Sequence, residues 1–152
     1  PLNTNGECAD FIANHALSAN VQAATKLSTE TLVEKYNRAA IVVCPSLYEG
    51  FGLPAAEALS CGRPVIASNG GALPEVAGTH GETCFLTTPG DSEALASTIR
   101  DALDNPELRA KIGTQGRKRV KDQWSWRHTA TRTVEQYREV LAEHTIRMNG
   151  QS

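Results

Sequence analysis

The sequence lacks any long apolar run, and it carries almost no net charge. Its longest unbroken apolar stretch is the six residues 39–44, whereas a membrane-spanning helix needs about 20. Fifteen lysines and arginines against 17 aspartates and glutamates leave a net charge of −2, so no excess of positive charge attracts a phosphate backbone. These two absences exclude a membrane-spanning protein and argue against nucleic acid as a partner.

Cysteine is scarce as well, and its spacing predicts neither disulfides nor a metal site. The four cysteines lie at wide, irregular intervals without a Cys-x-x-Cys pair, and no signal peptide pattern is present. The four histidines have no ligand spacing relative to the cysteines. We therefore expect a reduced, cytoplasmic protein without bound metal, in which Cys44 and Cys61 are small buried apolar residues.

The sequence does contain an alternation of strand and helix patterns within 152 residues, the length of one domain. Four short apolar segments are candidate strands: 21–24, 41–44, 64–67 and 83–86. The segments 41–44 and 64–67 are apolar without a break, which is typical of strands covered on both faces. The alternation predicts a doubly wound, Rossmann-like parallel α/β sheet, in which ligands bind beyond the carboxyl ends of the strands.

Capping residues mark where the helices between and after these strands begin. Apolar residues at helical spacing predict helices over the following ranges: 8–17, 28–40, 53–61, 91–103 and 106–144. Ser28, Asp91 and Asn105 stand where N-caps are expected. The last pattern is interrupted at 124–126, so two terminal helices are expected over about 107–144.

The loop after the strand 41–44 and the helix start that follows it carry the candidate ligand-binding residues: Glu49, Gly50, Phe51, Gly52, Leu53 and Glu57. The glycines permit a ligand to approach the backbone closely, and free N–H groups at a helix start favour an anionic group. The two carboxylates suit hydroxyl groups of the same ligand, which only donate to them. A nucleotide sugar has both kinds of group.

These residues resemble a known family. The segment 45–67, which begins Pro-Ser-Leu-Tyr-Glu-Gly-Phe-Gly-Leu-Pro, is similar to the signature of retaining, nucleotide-sugar-dependent glycosyltransferases of the GT-B type, the "group 1" or family 4 set. Glu49 and Glu57 match its Glu-x7-Glu motif. The resemblance continues through 70–76 and to the Trp-Ser-Trp sequence at 124–126, so it covers most of the chain.

The resemblance implies that residues 1–152 are a partial C-terminal nucleotide-sugar-binding domain, the second domain of a GT-B enzyme, with an incomplete N-terminal part and no acceptor-binding domain. By resemblance, Glu57 would hold the ribose diol of the donor, and Glu49, the candidate catalytic residue, would hold hydroxyls of the donor sugar. Residues 50–53 would present amides to the sugar and the diphosphate. No metal, cofactor or protein base is implied, because the departing phosphate can take the acceptor's proton.

The chain also departs from the family pattern. By resemblance, we expect the strands that supply a basic pair for the diphosphate to be missing from residues 1–152. No lysine or arginine lies between Ile41 and Gly62, so we expect only amides and Arg63 to offset the charge of the diphosphate. We therefore expect the isolated chain to be inactive and to need the missing N-terminal domain or a second copy. One alternative is an inactive nucleotide-sugar-binding or interaction module. Another, a glycoside hydrolase using Glu49 and Glu57, is disfavoured by the anion-attracting helix start.

Three expectations concern surfaces. We expect a gap in the sheet between the strands 21–24 and 41–44, filled by a partner, a swapped segment or a further part of the chain. An apolar stripe at helical spacing near the C-terminus is expected to be partly exposed or covered by another copy: Val134, Tyr137, Val140 and Leu141. The stretch 109–132 has eight basic residues around two tryptophans, which favours a solvated helix face but leaves peripheral contact with an anionic membrane open.

Overall fold

A computed structural model of the chain describes residues 6–149. The chain forms two compact units, Pro1–Lys35 and Tyr36–Ser152. The three strands and the candidate site all belong to the second unit.

The first unit contains one complete helix, α1 (Glu7–Asn14), and the start of α2 (Thr29–Arg38). The Ser28 hydroxyl accepts a hydrogen bond from the N–H of Thr31 at 3.3 Å, as the N-cap prediction requires. The predicted strand at 21–24 is wrong. The N–H of Val21 donates to the carbonyl of Leu17 at 3.0 Å, so this backbone closes a local turn instead of joining a ladder.

The second unit is built on a parallel sheet of three strands, β1 (Val42–Cys44), β2 (Val65–Ser68) and β3 (Phe85–Thr87), in the order β1-β2-β3. Val43 pairs with Ile66, and Ala67 pairs with Leu86. The apolar runs form the first two strands as predicted. The third begins two residues later than expected, because Thr83 belongs to a turn and Cys84 forms only an isolated bridge.

Helices follow each strand and cover both faces of the sheet. They are α3 (Leu53–Ser60), α4 (Leu73–Ala77), α5 (Ser92–Asp104), α6 (Pro106–Gln123) and α7 (Trp126–Asn149). Val65 and Ala67 pack in one core cluster with Leu59 of α3 and Leu73 of α4. Ile66 points the other way and packs with residues of α5 and α6 in a second cluster. This alternation confirms the doubly wound, Rossmann-like parallel α/β class.

Two surfaces of this unit remain uncovered. β1 pairs with β2 on one side only among the described residues, and Val43 is 38% exposed. The predicted gap between the strands 21–24 and 41–44 is wrong, because 21–24 is not a strand. That another segment or a partner covers the open edge of β1 stays a prediction. The stripe on α7 is exposed, as expected: Val134, Tyr137, Val140 and Leu141. Over residues 6–149, no helix combines the length and apolarity that a bilayer crossing requires.

Candidate functional site

The six predicted site residues follow the carboxyl end of β1, where the strand gives way to the loop 45–52 and then to α3. This is the edge of a parallel sheet at which ligands bind in doubly wound folds. The structure therefore places the six residues after β1, where the strand pattern predicted them. Their side chains have different surroundings, which decide what each can do.

Glu49 is held in place at both its side chain and its backbone. The Ser46 hydroxyl donates to its Oε1 at 2.8 Å, and the N–H of Ala72 donates to its carbonyl oxygen at 2.9 Å. Ser46 is itself held, because the Ser68 hydroxyl at the end of β2 donates to the Ser46 carbonyl. We call Ser46, Ser68 and Ala72 the Glu49 anchor. It leaves Oε2 of a half-buried carboxylate with no partner among the described residues.

The turn after β2 lies directly against the backbone of Glu49. Gly71 adopts a positive φ of 57°, and a Cβ at that position would lie 2.8 Å from the Glu49 nitrogen. A side chain would be strained there and would also collide with the loop. Glycine is thus required for the close approach that allows Ala72 to bond Glu49.

The start of α3 presents backbone donors next to the loop. Gly52 is the N-cap, with φ 90°, and its carbonyl accepts from the N–H groups of Ala55 and Ala56. Among the described residues, the N–H groups of Gly52 and Leu53 donate to no protein acceptor. Together with the helix dipole, such free donors favour an anionic group.

Glu57 lies one turn into α3 and is exposed. Its Oε2 accepts a hydrogen bond from the Tyr36 hydroxyl at 3.1 Å. Burial, and then the hydrogen bond to Glu57, raise the pKa of Tyr36, so the phenol stays a donor. Tyr36 lies within the predicted helix 28–40, and helical spacing predicts burial of such a ring but not the partner of its hydroxyl.

Phe51 and Leu53 belong to an apolar groove rather than to the polar part of the loop. The Phe51 ring meets the Trp124 ring edge to face, with centroids 5.2 Å apart. The groove has a volume of about 510 Å³ and lies among α3, α6 and α7; it is lined by Phe51, Leu53, Ala56, Glu57, Ser60, Val120, Trp124, Trp126 and Thr129. Trp124 packs against the core cluster that contains Leu59, whereas Trp126 is 89% exposed, so only one of the two tryptophans is packed.

A small cavity of about 160 Å³ opens between the ends of the three strands. Pro45, Ser68 and Thr87 line it from the strand ends, and Asp91 and Leu95 line it from the start of α5. The Thr87 hydroxyl is buried and has no hydrogen-bond partner. No motif in the sequence singled out this residue.

Arg63 and Arg119 both donate to backbone carbonyls outside the Glu49 loop. Arg63 precedes β2, so it lies at the opposite end of the sheet from the loop, and its Nε donates to the carbonyl of Cys61. The suggestion that Arg63 offsets a bound diphosphate is therefore wrong for this structure. Arg119 donates to the carbonyls of Glu75 and Val76 at the end of α4. Within the described part of the chain, no group of three or more acidic, histidine or cysteine side chains is arranged to hold a metal.

The sequence of this chain matches a known protein family. Residues 5–119 match the family model described as "Glycosyl transferases group 1". The chain is 40% identical over 141 residues to an MMP alpha-(1->4)-mannosyltransferase of Mycolicibacterium hassiacum, covering 93% of this chain and 34% of that protein. It is 39% identical over 109 residues to the O-antigen chain mannosyltransferase B of Escherichia coli, covering 72% of this chain and 28% of that protein.

Solved structures with a similar fold include proteins of which this chain matches a part. Sucrose-phosphate synthase of Thermosynechococcus elongatus superposes with a TM-score of 0.81 at 34% identity, covering 90% of this chain and 34% of that one. The Anabaena protein HepE, in complex with UDP and glucose, superposes with a TM-score of 0.76 at 25% identity, covering 90% of this chain and 36% of that one. The chain thus spans about a third of the length of these relatives.

Proposed function

Because the chain belongs to the group 1 glycosyl transferases and forms the C-terminal part of their GT-B fold, we propose that it provides the donor half of a retaining glycosyltransferase site. The donor would be a nucleoside-diphosphate sugar. The observation that carries this proposal is the pairing of two oriented carboxylates with the free N–H groups that begin α3. The Anabaena structure with UDP and glucose supports the choice of donor class.

In the proposed complex, each polar group acts on a different part of the donor. Glu57 would accept hydrogen bonds from the ribose diol, and Glu49, the proposed catalytic residue, from hydroxyls of the sugar. The N–H groups of Gly52 and Leu53, with the backbone of Gly50 and Phe51, would face the diphosphate.

The transfer itself needs no group beyond the donor, the acceptor and these contacts. The bond between the anomeric carbon and the phosphate oxygen breaks, and the acceptor oxygen bonds to the same face of that carbon. The acceptor's proton passes to the departing phosphate, so neither a protein base nor a metal or cofactor is required. Glu49 stabilises the sugar as its charge changes, which lowers the barrier rather than merely tightening binding.

The first test changes the proposed ribose ligand. Glu57→Gln keeps the shape of the side chain but removes its charge, and one charge-assisted hydrogen bond is worth about 1.5–3 kcal/mol, so UDP or GDP should bind roughly tenfold to a hundredfold more weakly. Calorimetric titration measures this. Glu82→Gln, in the turn before β3 at the other end of the sheet, is the matched control and should bind like the wild type. Equal affinity of wild type and Glu57→Gln would contradict the ribose role.

Glu49→Gln separates binding from chemistry. Because Glu49 would touch the sugar and not the nucleotide, this variant should bind UDP or GDP normally and lose most of its transfer rate to an acceptor. Transfer is measured on the protein together with an acceptor-binding domain, following nucleotide release and free sugar separately. Normal transfer by Glu49→Gln would contradict the catalytic role, free sugar without an acceptor would indicate a hydrolase, and nucleotide binding without transfer by the wild type would favour the inactive module.

A further inference from the structure

The Tyr36 hydroxyl is placed differently from the other polar groups of the site, because it comes from a rigid ring. Tyr36 lies two residues before the end of α2, and its ring packs against the core cluster that contains Leu59 and Val65. The ring is half-buried, whereas the Glu57 side chain that it contacts is exposed. The Tyr36 hydroxyl is therefore a donor in a fixed position that bonds to the carboxylate of a flexible side chain.

An exposed glutamate would otherwise sample many rotamers. Fixing such a side chain on ligand binding costs conformational entropy. The Tyr36 hydroxyl contacts only Oε2 of Glu57, at 3.1 Å, and Glu57 makes no ion pair within residues 6–149. A carboxylate has about four acceptor positions, so most of them stay open to a ligand while the group itself is held.

We propose that Tyr36 is a positioning residue that holds the Glu57 carboxylate ready for the two neighbouring hydroxyls of a nucleotide ribose. This inference rests on the proposed function and goes beyond it by assigning the orientation of Glu57 to a residue 21 positions earlier in the chain. Tyr36 itself does not touch the ligand. Its effect on binding must therefore pass through Glu57 and depend on the diol.

The decisive measurement compares nucleotides with and without the diol. Tyr36→Phe removes one oxygen and leaves the packed ring in place. We expect it to weaken binding of UDP, or of GDP if that binds more tightly, by about threefold to tenfold, as for the loss of one hydrogen bond. Binding of the matching 2′-deoxynucleotide should change little, so the preference for the ribonucleotide shrinks toward one. Tyr137→Phe, which removes the same atom from an exposed ring on α7, is the matched control and should change neither affinity.

A double variant tests whether Tyr36 acts through Glu57. If it does, Tyr36→Phe should have no further effect on nucleotide affinity in a Glu57→Gln background. An independent readout is the ultraviolet titration of the three tyrosines. Burial raises the pKa of Tyr36 most, and the hydrogen bond to Glu57 and its charge raise it further. Glu57→Gln removes the charge, so it should shift one phenol's ionisation to lower pH.

Each other outcome has a defined meaning. If Tyr36→Phe binds like the wild type or more tightly while Glu57→Gln is weakened, the positioning role is wrong and the proposed function stands. If Tyr36→Phe weakens ribonucleotide and deoxynucleotide equally, with a lowered melting temperature, its role is structural and the inference is overturned. If neither variant alters nucleotide binding, or if the wild type binds no nucleotide, the proposed function fails together with the inference.

Discussion

At the scale of single residues, the two glycines of the site loop differ in what surrounds them. Gly52 is buried in a left-handed conformation, and a Cβ there would lie 2.5 Å from Cδ2 of Leu73. Gly50 is exposed, and a Cβ there would meet no atom within 4 Å. Gly52 is therefore required by the fold, whereas Gly50 is free to serve a ligand.

This contrast gives a prediction for a matched pair of variants. Gly52→Ala should lower the free energy of unfolding by about 2 kcal/mol or more, because it adds left-handed strain of about 1–2 kcal/mol to an overpacked contact of about 1–3 kcal/mol. Gly50→Ala should change it by about 0.5 kcal/mol or less. Urea unfolding of both variants beside the wild type measures the difference. Equal destabilisation would show that the loop is not packed as described.

The candidate ligand residues could be predicted from local sequence, but their supports could not. Glu49 and Glu57 stand in a recognisable motif after a predicted strand, so the local sequence singled them out as candidates. The Ser68 hydroxyl and the Tyr36 hydroxyl reach the site from other elements. Such contacts depend on how strands and helices assemble, and a single sequence carries no local signal for them.

At the scale of elements, the helix caps predicted from sequence hold in the structure. Asp91 accepts from the N–H of Ala94 at 2.9 Å at the start of α5, and Asn105 accepts from the N–H of Leu108 at 3.0 Å at the start of α6. Each of these caps is a contact between residues three positions apart, so the local sequence is sufficient to predict it.

The cap of α5 can be tested against another aspartate of the same helix. Asp91→Ala should reduce the free energy of unfolding by about 1 kcal/mol, because an N–H loses its acceptor and the helix start loses a favourable charge. Asp101→Ala, at an exposed residue in the last turn of α5, should be neutral or slightly stabilising, since a negative charge is unfavourable near a helix C-terminus. Thermal melts followed by circular dichroism measure both changes. A loss at Asp101 as large as that at Asp91 would contradict the assigned cap.

Strands were less predictable than helices for a physical reason. A strand exists only when a neighbour accepts its hydrogen bonds. The unbroken apolar runs 41–44 and 64–67 supply the paired strands β1 and β2, whereas the weaker pattern at 21–24 turns back on Leu17. The composition of a segment indicates its preference for strand structure, but pairing with a neighbouring strand determines whether the strand forms.

At the scale of the whole molecule, two buried thiols report on the integrity of the core. Burial raises the pKa of Cys44 to about 11, with a smaller contribution from the charge of Glu49, and burial raises the pKa of Cys84 to about 11. Cys8 is exposed and Cys61 is half-buried. Because the thiolate is the reactive form, the folded core should protect the first pair and leave the second pair accessible.

We expect two thiols to react with a disulfide reagent at pH 8 in the native protein, and four after unfolding. The raised pKa values also predict that stability is complete below the ordinary thiol pKa of about 8.5 and falls as pH rises toward 11, because the unfolded chain releases these protons first. Urea midpoints at pH 8 and pH 10 measure this loss. A variant with both Cys44→Ala and Cys84→Ala should depend less on pH, and an equally steep dependence in that variant would contradict the assignment.

At this scale, the least predictable feature was what contacts the exposed apolar surfaces of the fold. The apolar stripe on α7 was expected to be partly exposed or covered by another copy, and its side chains are exposed in the structure. Within residues 6–149, no strand pairs with the open edge of β1, and the stripe on α7 is exposed. A sequence specifies the preference of such a face for burial but not the identity of the surface that buries it.

The Glu49 anchor ties the loop after β1 to the turn after β2, so the two segments form one template that needs little rearrangement to receive a ligand. A preformed template saves the cost of ordering flexible side chains during association. Good and poor ligands would then arrive at similar rates, and they would differ in how long they stay. Selectivity at this site would thus be expressed as residence time, set by how completely a ligand matches donors and acceptors that do not move to meet it.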